Sequence, residues 1–355
     1  MGDGGMKPHR RVRVDPTDLD RWCRTHLGAG ARRVLFSHGY LSTVLGVELT
    51  DGARVVVKVR PRRDRLVGCA LVHRLLFERG FPCPELLVDL ASIDDLVASA
   101  EMMVAEGDPY PRSGRSPAPF AQALARLVAL APLPREIRSL DPPPPWTAPD
   151  RNRSELWPDP EDRDLDLNSA RGPAWIDAAG TDARARLAAS TSSIVVGHGD
   201  FYTGNVRWSG EDLAVVWDWD SAIAASEPAI AGLAAAIYPT TQAGGAATID
   251  ESSAFLDAYE RARGRRFSDE ERAEAWASGL WTRAFEAKKE AATFGAPTSL
   301  TEAEADERRR RAASPGWGRA RSTTTFEASD RPSGDASRTS VATSRGRAGS
   351  PRPRR

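Results

Sequence analysis

The chain is 355 residues long, which at roughly 150 residues per domain predicts two domains or lobes. Its 49 basic and 49 acidic residues cancel, which argues against a nucleic-acid or membrane-surface binder working through bulk charge. Three cysteines are too few for a disulfide scaffold, no apolar run reaches the ~20 residues of a membrane span, and no apolar stretch follows the charged start. A reduced, soluble, cytoplasmic protein is expected. Only four basic residues are lysine (Lys7, Lys58, Lys288 and Lys289). In a chain that writes arginine wherever a positive charge suffices, a surviving lysine is a candidate for a task arginine cannot do.

The first predicted element is a helix over 15–28, with Asp15 as cap, Pro16 in the first turn and Gly28 as stop. Strands follow at 33–37, 43–49 and 54–60, the last two joined by Asp51-Gly52, a strong hairpin signal. A helix over 63–79 ends at Gly80, and two more strands are expected near 86–90 and 96–104. Together these make a small antiparallel sheet with one helix. Residues 118–130 are apolar at helical spacing. Residues 131–175 show little periodicity, and so long a loop should pack through Trp146, Trp157 and Trp175. Helices are expected at 176–190, 229–238, 250–263 and 268–291.

From 312 onward, Ser, Thr, Gly, Pro, Ala and Arg fill 38 of 44 positions. That composition buries too little apolar surface to fold, so a disordered tail is expected. The tail carries about +6, leaving about −6 on residues 1–311. With only Trp317 and Phe326 as stacking residues, it is not read as a nucleic-acid binder.

The chemistry concentrates in 194–221. A short apolar run, Ile194-Val195-Val196, leads into Gly197-His198-Gly199-Asp200, with Asn205 five residues after Asp200. A hairpin then delivers Asp218-Trp219-Asp220 at its far end. Phosphoryl transfer needs a carboxylate to orient or deprotonate the attacking hydroxyl, and oxygen ligands to hold Mg²⁺ on the nucleotide. A loop bearing Asp and Asn, with a hairpin returning a second Asp, can set all three around one point. A lysine on a strand of the other lobe can neutralise phosphates, and Lys58 lies in such a strand, VVVKVR.

Through His198-Gly199-Asp200-x4-Asn205, the hairpin to Asp218-Trp219-Asp220 and the strand-borne Lys58, the chain resembles the aminoglycoside phosphotransferase family of small-molecule kinases, over about residues 15–305. The resemblance implies an α+β, two-lobed, protein-kinase-like fold. Its N-lobe, a small antiparallel sheet, would span 1–103, its mainly helical C-lobe 104–311, and the disordered tail 312–355. It implies Asp200 as the catalytic base or hydroxyl-orienting carboxylate, and His198 as a brace of that loop. Asn205 and Asp218 become magnesium ligands, and Lys58 a contact to the ATP phosphates. Ala100-Glu101-Met102-Met103 lies where the family's hinge presents backbone groups to adenine, and Ser42 lies in the loop that would cover the phosphates.

ATP and Mg²⁺ are thus the implied cofactors. The implied partner is a hydroxyl-bearing small molecule: an aminoglycoside, another antibiotic, a sugar or an amino alcohol. No nucleic acid, membrane or obligate protein partner is expected. One departure stands out. The family pattern pairs the strand lysine with a helix Glu, and Cys69 occupies that position; Glu78 lies nine residues later, near the helix end. A catalytically weak or inactive nucleotide-binding module is the alternative this leaves. Asp220 reads as a helix N-cap, Lys288-Lys289 as a solvated helix face, and the acidic run 159–168 as a solvated loop.

Overall fold

The computed structural model describes residues 12–39, 41–105, 107–110, 116–149, 153–241 and 245–313, and the expected tail from 314 onward lies outside them. Helix α1 (Pro16–Leu27) begins where the Asp15 side chain accepts from the Thr17 amide, and it stops at a left-handed Gly28. These are the start and stop signals legible in the sequence.

Five strands form one antiparallel sheet: β1 (Ala31–Gly39), β2 (Thr43–Leu49), β3 (Arg54–Arg60), β4 (Leu86–Ile93) and β5 (Leu96–Met102), in the order β1-β2-β3-β5-β4. Gly52 in the β2–β3 turn takes φ 91°, which a side chain would disfavour. The central strand β3 places Lys58 opposite Val44 on one side and Ser99 on the other. Val55, Val57 and Val59 bury their side chains in a small core with Leu19, Trp22 and Val47. The two-residue period of a strand therefore sends Lys58 and Arg60 to the opposite face.

Helix α2 (Arg65–Glu78) follows β3. Its Cys69, Val72 and Leu76 join a second, larger core that includes Phe81 and Trp219. The helix thus bridges the lobes: these residues face the helical lobe, while its Arg74 pairs with Asp89 of β4. That larger core is built on α3 (Ala118–Leu130), α4 (Ala174–Ala188), α5 (Glu227–Ile237), α6 (Ile249–Arg263), α7 (Asp269–Phe294) and α8 (Glu302–Ala313). Two short strand pairs are set into it: β6 (Ile194–His198) with β9 (Ala222–Ser226), and β7 (Val206–Ser209) with β8 (Asp212–Val216). The molecule is an α+β protein of two lobes.

Close packing fixes α5 on α7. A Cβ added at Gly232 would lie 1.8 Å from the Ala275 carbonyl oxygen, so only glycine admits this approach. The long connection before α4 is pinned by its tryptophans as expected. Trp157 stacks on Trp281 with ring centroids 5.3 Å apart and donates to Asp177 at 2.7 Å. Strand β9 and helix α8 are absent from the sequence reading. Strand β9 exists through its pairing with the distant β6. Helix α8 has no apolar stripe, yet Ala305, Arg308 and Ala312 are buried, and it runs two residues into the stretch read as tail.

Candidate active site

Strand β6 ends at His198, which is fully buried. Its Nε2 lies 3.0 Å from the Trp217 carbonyl, and its Nδ1 lies 3.1 Å from the Asp200 amide. A carbonyl only accepts and an amide N–H only donates, so the ring is the neutral tautomer with its hydrogen on Nε2. Burial pushes its pKa down, against the pull of Asp218, which keeps that tautomer neutral.

The loop after His198 presents Asp200. The Asn205 side-chain amide donates to the Asp200 carboxylate at 2.8 Å and to the Asp200 carbonyl at 2.9 Å. Both amide hydrogens are spent inside the loop, so the Asn205 side-chain oxygen is its remaining ligand atom. Burial, with Asp218 adding to it and the Asn205 bond opposing, pushes the Asp200 carboxyl up to about 7.

The β7–β8 hairpin returns the chain to this point. Trp217 donates its amide to the Asn205 carbonyl at 2.9 Å, and Ser221 donates to the Asp218 carbonyl at 3.0 Å. Between them Asp218 adopts φ 63°, ψ 53°, a left-handed conformation that costs a non-glycine residue roughly 1–2 kcal/mol. The turn brings the Asp218 carboxylate onto the Lys58 ammonium. Lys58 also pairs with Asp220 at 2.9 Å. Arg60 holds that same Asp220: its Nη2 donates at 2.8 Å, and its Nε lies 2.7 Å from the second carboxylate oxygen without a hydrogen bond to it. Burial opposes the Lys58 charge, but Asp218 and Asp220 outweigh it and hold the ammonium above the ordinary lysine range.

Three sequence readings change here. Asp220 caps no helix. It sits in a 3₁₀ turn over Trp219–Ser221, and the residue at the start of α5 is Ser226. Lys288 and Lys289 do not form a solvated face. Both are buried, Lys288 against Asp177 at 2.8 Å, and Lys289 against Asp162 at 3.0 Å and Glu286 at 3.3 Å. The acidic run is accordingly not all solvated loop, since Asp162 is one of its members. Cys69 offers no charge to Lys58; burial pushes its thiol up to about 11, and it approaches the Asp220 carbonyl at 3.6 Å.

Two cavities meet at these residues. The larger, about 630 Å³, includes Asp200, Trp146, Thr282, Glu286 and Lys289 in its wall. The smaller, about 600 Å³, includes Val44, Val56, Leu86, Glu101 and Met103. Ser42, Lys58, Asn205, Asp218 and Asp220 line both. At the β5 end, the Met102 and Met103 amides are already given to the Glu85 and Arg54 carbonyls, at 2.9 and 3.1 Å. The Glu101 carboxyl is pushed up to about 7 by burial, with Lys58 opposing and Asp218 and Asp220 adding. Arg60 was missed in the sequence, although its position two residues after Lys58 on a strand places both on one face.

Residues 33–276 match the sequence model of a family described as APH, Phosphotransferase enzyme family. The chain belongs to this phosphotransferase family. A comparison with curated proteins finds no match. Solved structures share the phosphotransferase fold at low identity. One is the amicoumacin kinase hAmiN in complex with AMP-PNP, Ca²⁺ and Ami, at 12% identity over 79% of this chain and 86% of its own, TM-score 0.53. Another is the spectinomycin phosphotransferase APH(9)-Ia with ADP and spectinomycin, at 11% identity over 86% and 96%, TM-score 0.53. A thermostable mutant of the aminoglycoside phosphotransferase APH(4)-Ia, with AMP-PNP and hygromycin B, is 12% identical over 84% and 99%, TM-score 0.51. In this phosphotransferase, Asp200, Asn205, Asp218 and Lys58 line one cleft, the last three standing in the walls of both its cavities. Among the described residues no group of three or more His, Cys, Asp or Glu forms a metal cage by itself.

Proposed function

We propose that the protein transfers the γ-phosphoryl group of ATP to a hydroxyl group of a small molecule. One observation carries the reading: the cleft is divided. Asp200 lines only the larger cavity, Glu101 and Met103 only the smaller, and Lys58, Asn205 and Asp218 stand on the boundary. A nucleotide in the smaller cavity would place its phosphates at that boundary, and an acceptor in the larger one would meet Asp200. The solved relatives that hold an adenine nucleotide beside an antibiotic support this division.

The residues fit the implied cofactors. Both cavities have the size of small-molecule sites. The donor atoms left at the boundary are oxygens, the Asn205 side-chain oxygen and the Asp218 carboxylate, which suit a hard cation that completes its shell on phosphates. Mg²⁺ held by Asn205 and Asp218 would supply the positive charge that neutralises the triphosphate. Lys58 supplies a further compact positive charge to the phosphates. Asp200 orients the acceptor hydroxyl and takes its proton, with its carboxylate steadied by Asn205 and its backbone by His198. Ser42, between β1 and β2, covers the phosphate end, and the base enters the smaller cavity beside Glu101 and Met103, the Met103 amide being already taken. ATP as donor fits the cytoplasmic placement expected from the sequence. The acceptor class is an aminoglycoside-like antibiotic, a sugar or an amino alcohol.

ADP release measured across a panel of such alcohols, with Mg²⁺ and ATP, tests the reading. At least one acceptor should raise turnover well above ATP hydrolysis in its absence. Asp200→Asn should lose about 10²–10⁴-fold in that turnover; full activity in this variant would overturn the assignment.

A further inference from the structure

The helix position that would face Lys58 with a carboxylate holds Cys69, whose thiol is buried and uncharged. Yet the Lys58 ammonium is paired twice, by Asp218 and by Asp220. Asp218 is the residue assigned above to the metal. Asp220 differs: its carboxylate meets two cations of β3, Lys58 at 2.9 Å and Arg60 at 2.7 and 2.8 Å. Arg60 is itself anchored, donating to the Lys58 carbonyl at 2.7 Å and to Ser99 Oγ at 2.8 Å. Glu101, another buried acid of the cleft, lies 4.0 Å from His73 instead.

Helix α2 still takes part, through donors. Arg65 donates to the Asp220 carbonyl and, at 2.7 Å, to the Ala222 carbonyl, and the Cys69 thiol faces the same two oxygens. The helix that would carry the carboxylate here grips the backbone that carries it. Charge-assisted bonds, here one from Arg60 to the carboxylate and two from Arg65 to backbone carbonyls, are the stronger hydrogen bonds of a protein.

We propose that Asp220 is a positioning residue that aims Lys58 at the nucleotide phosphates, taking the part of the missing helix carboxylate, with Arg60 holding Asp220 in place. This rests on the phosphotransferase reading above. The lysine and the metal ligand Asp218 are then set by one turn of chain two residues apart. The aim of the ammonium and the placement of the cation become a single structural unit.

The test uses the full chain and steady-state ADP release with an active acceptor. Asp220→Asn should lower kcat by about 10²-fold, the scale of a misplacement near 1 Å, and move KM for ATP less than threefold. Asp220→Glu, which keeps the charge, and Cys69→Glu added to Asp220→Asn should each recover at least tenfold of that loss. Should Asp220→Asn fail to fold, the double variant carries the test alone: it must fold and turn over within tenfold of the parent. A kcat within threefold of the parent in Asp220→Asn overturns the proposal, and so does a loss that neither carboxylate variant recovers. Asp200→Asn is run alongside. If it stays active, the phosphotransferase reading fails; if it is dead while Asp220→Asn is active, only the present inference fails.

Discussion

His198 donates from Nε2 to the Trp217 carbonyl across 3.0 Å, and this bond ties the loop bearing Asp200 to the strand end bearing Asp218. The same ring accepts from the Asp200 amide, so one buried imidazole sets the distance between the two carboxylates. His198→Ala leaves a buried N–H and a buried carbonyl unpaired, at about 1–3 kcal/mol each. Both the melting temperature and ADP release should fall. A variant that kept its turnover while losing stability would separate the brace from the chemistry.

Lys58→Arg preserves the charge facing Asp218 and Asp220 but not its shape. A guanidinium is planar and larger than an ammonium, and it prefers two-point pairing with carboxylates. The expected outcome is a folded protein with an unchanged melting temperature and a turnover lower by about 10²-fold. Circular dichroism melts and steady-state kinetics on the same preparation check both halves.

Glu101 gives stability a pH dependence of definite sign. Its carboxyl is pushed up to about 7 in the fold, against 4.5 in an unstructured chain. The folded state therefore binds the proton more tightly than the unfolded state, and stability falls as pH rises from about 4.5 through 7. Glu101→Gln removes this slope. Its melting temperature should exceed the parent's at pH 8 and match it near pH 4.5; an equal gain at both pH values would rule out the titration of Glu101 as the cause.

Gly232→Ala pushes a methyl group into the Ala275 carbonyl. Overpacking of this kind costs roughly 1–3 kcal/mol, occasionally more, where backbone has to move. Urea denaturation should show the midpoint falling with an unchanged slope, because the packing of α5 on α7 weakens without a change of fold.

Much of this was legible from local signals. Asp15, Pro16 and Gly28 mark α1, and Asp51-Gly52 marks the β2–β3 turn, because caps and turns are decided by neighbours in sequence. The spacing from Asp200 to Asn205 and the return to Asp218 pointed to the candidate site for the same reason: one loop and one hairpin carry these three residues. What stayed hidden depends on distant partners. Nothing near Asp220 announces Arg60, which lies 160 residues earlier. The stretch Glu302–Ala313 reads as solvated charge until Arg308 is seen reaching the Ala247 carbonyl at 2.8 Å. Lys288 and Lys289 looked exposed because Asp177 and Asp162, which neutralise them, come from other segments.

Helix α7 carries a last consequence. Thr282, Glu286 and Lys289 follow one another at spacings of three and four, so they share one side of the helix, and all three line the cavity that holds Asp200. Two turns earlier on that same side, Ala275 is locked against α5 at Gly232. On the proposed reading, substitutions at these three positions would reshape the larger cavity without touching Glu101 or Met103 in the wall of the smaller one.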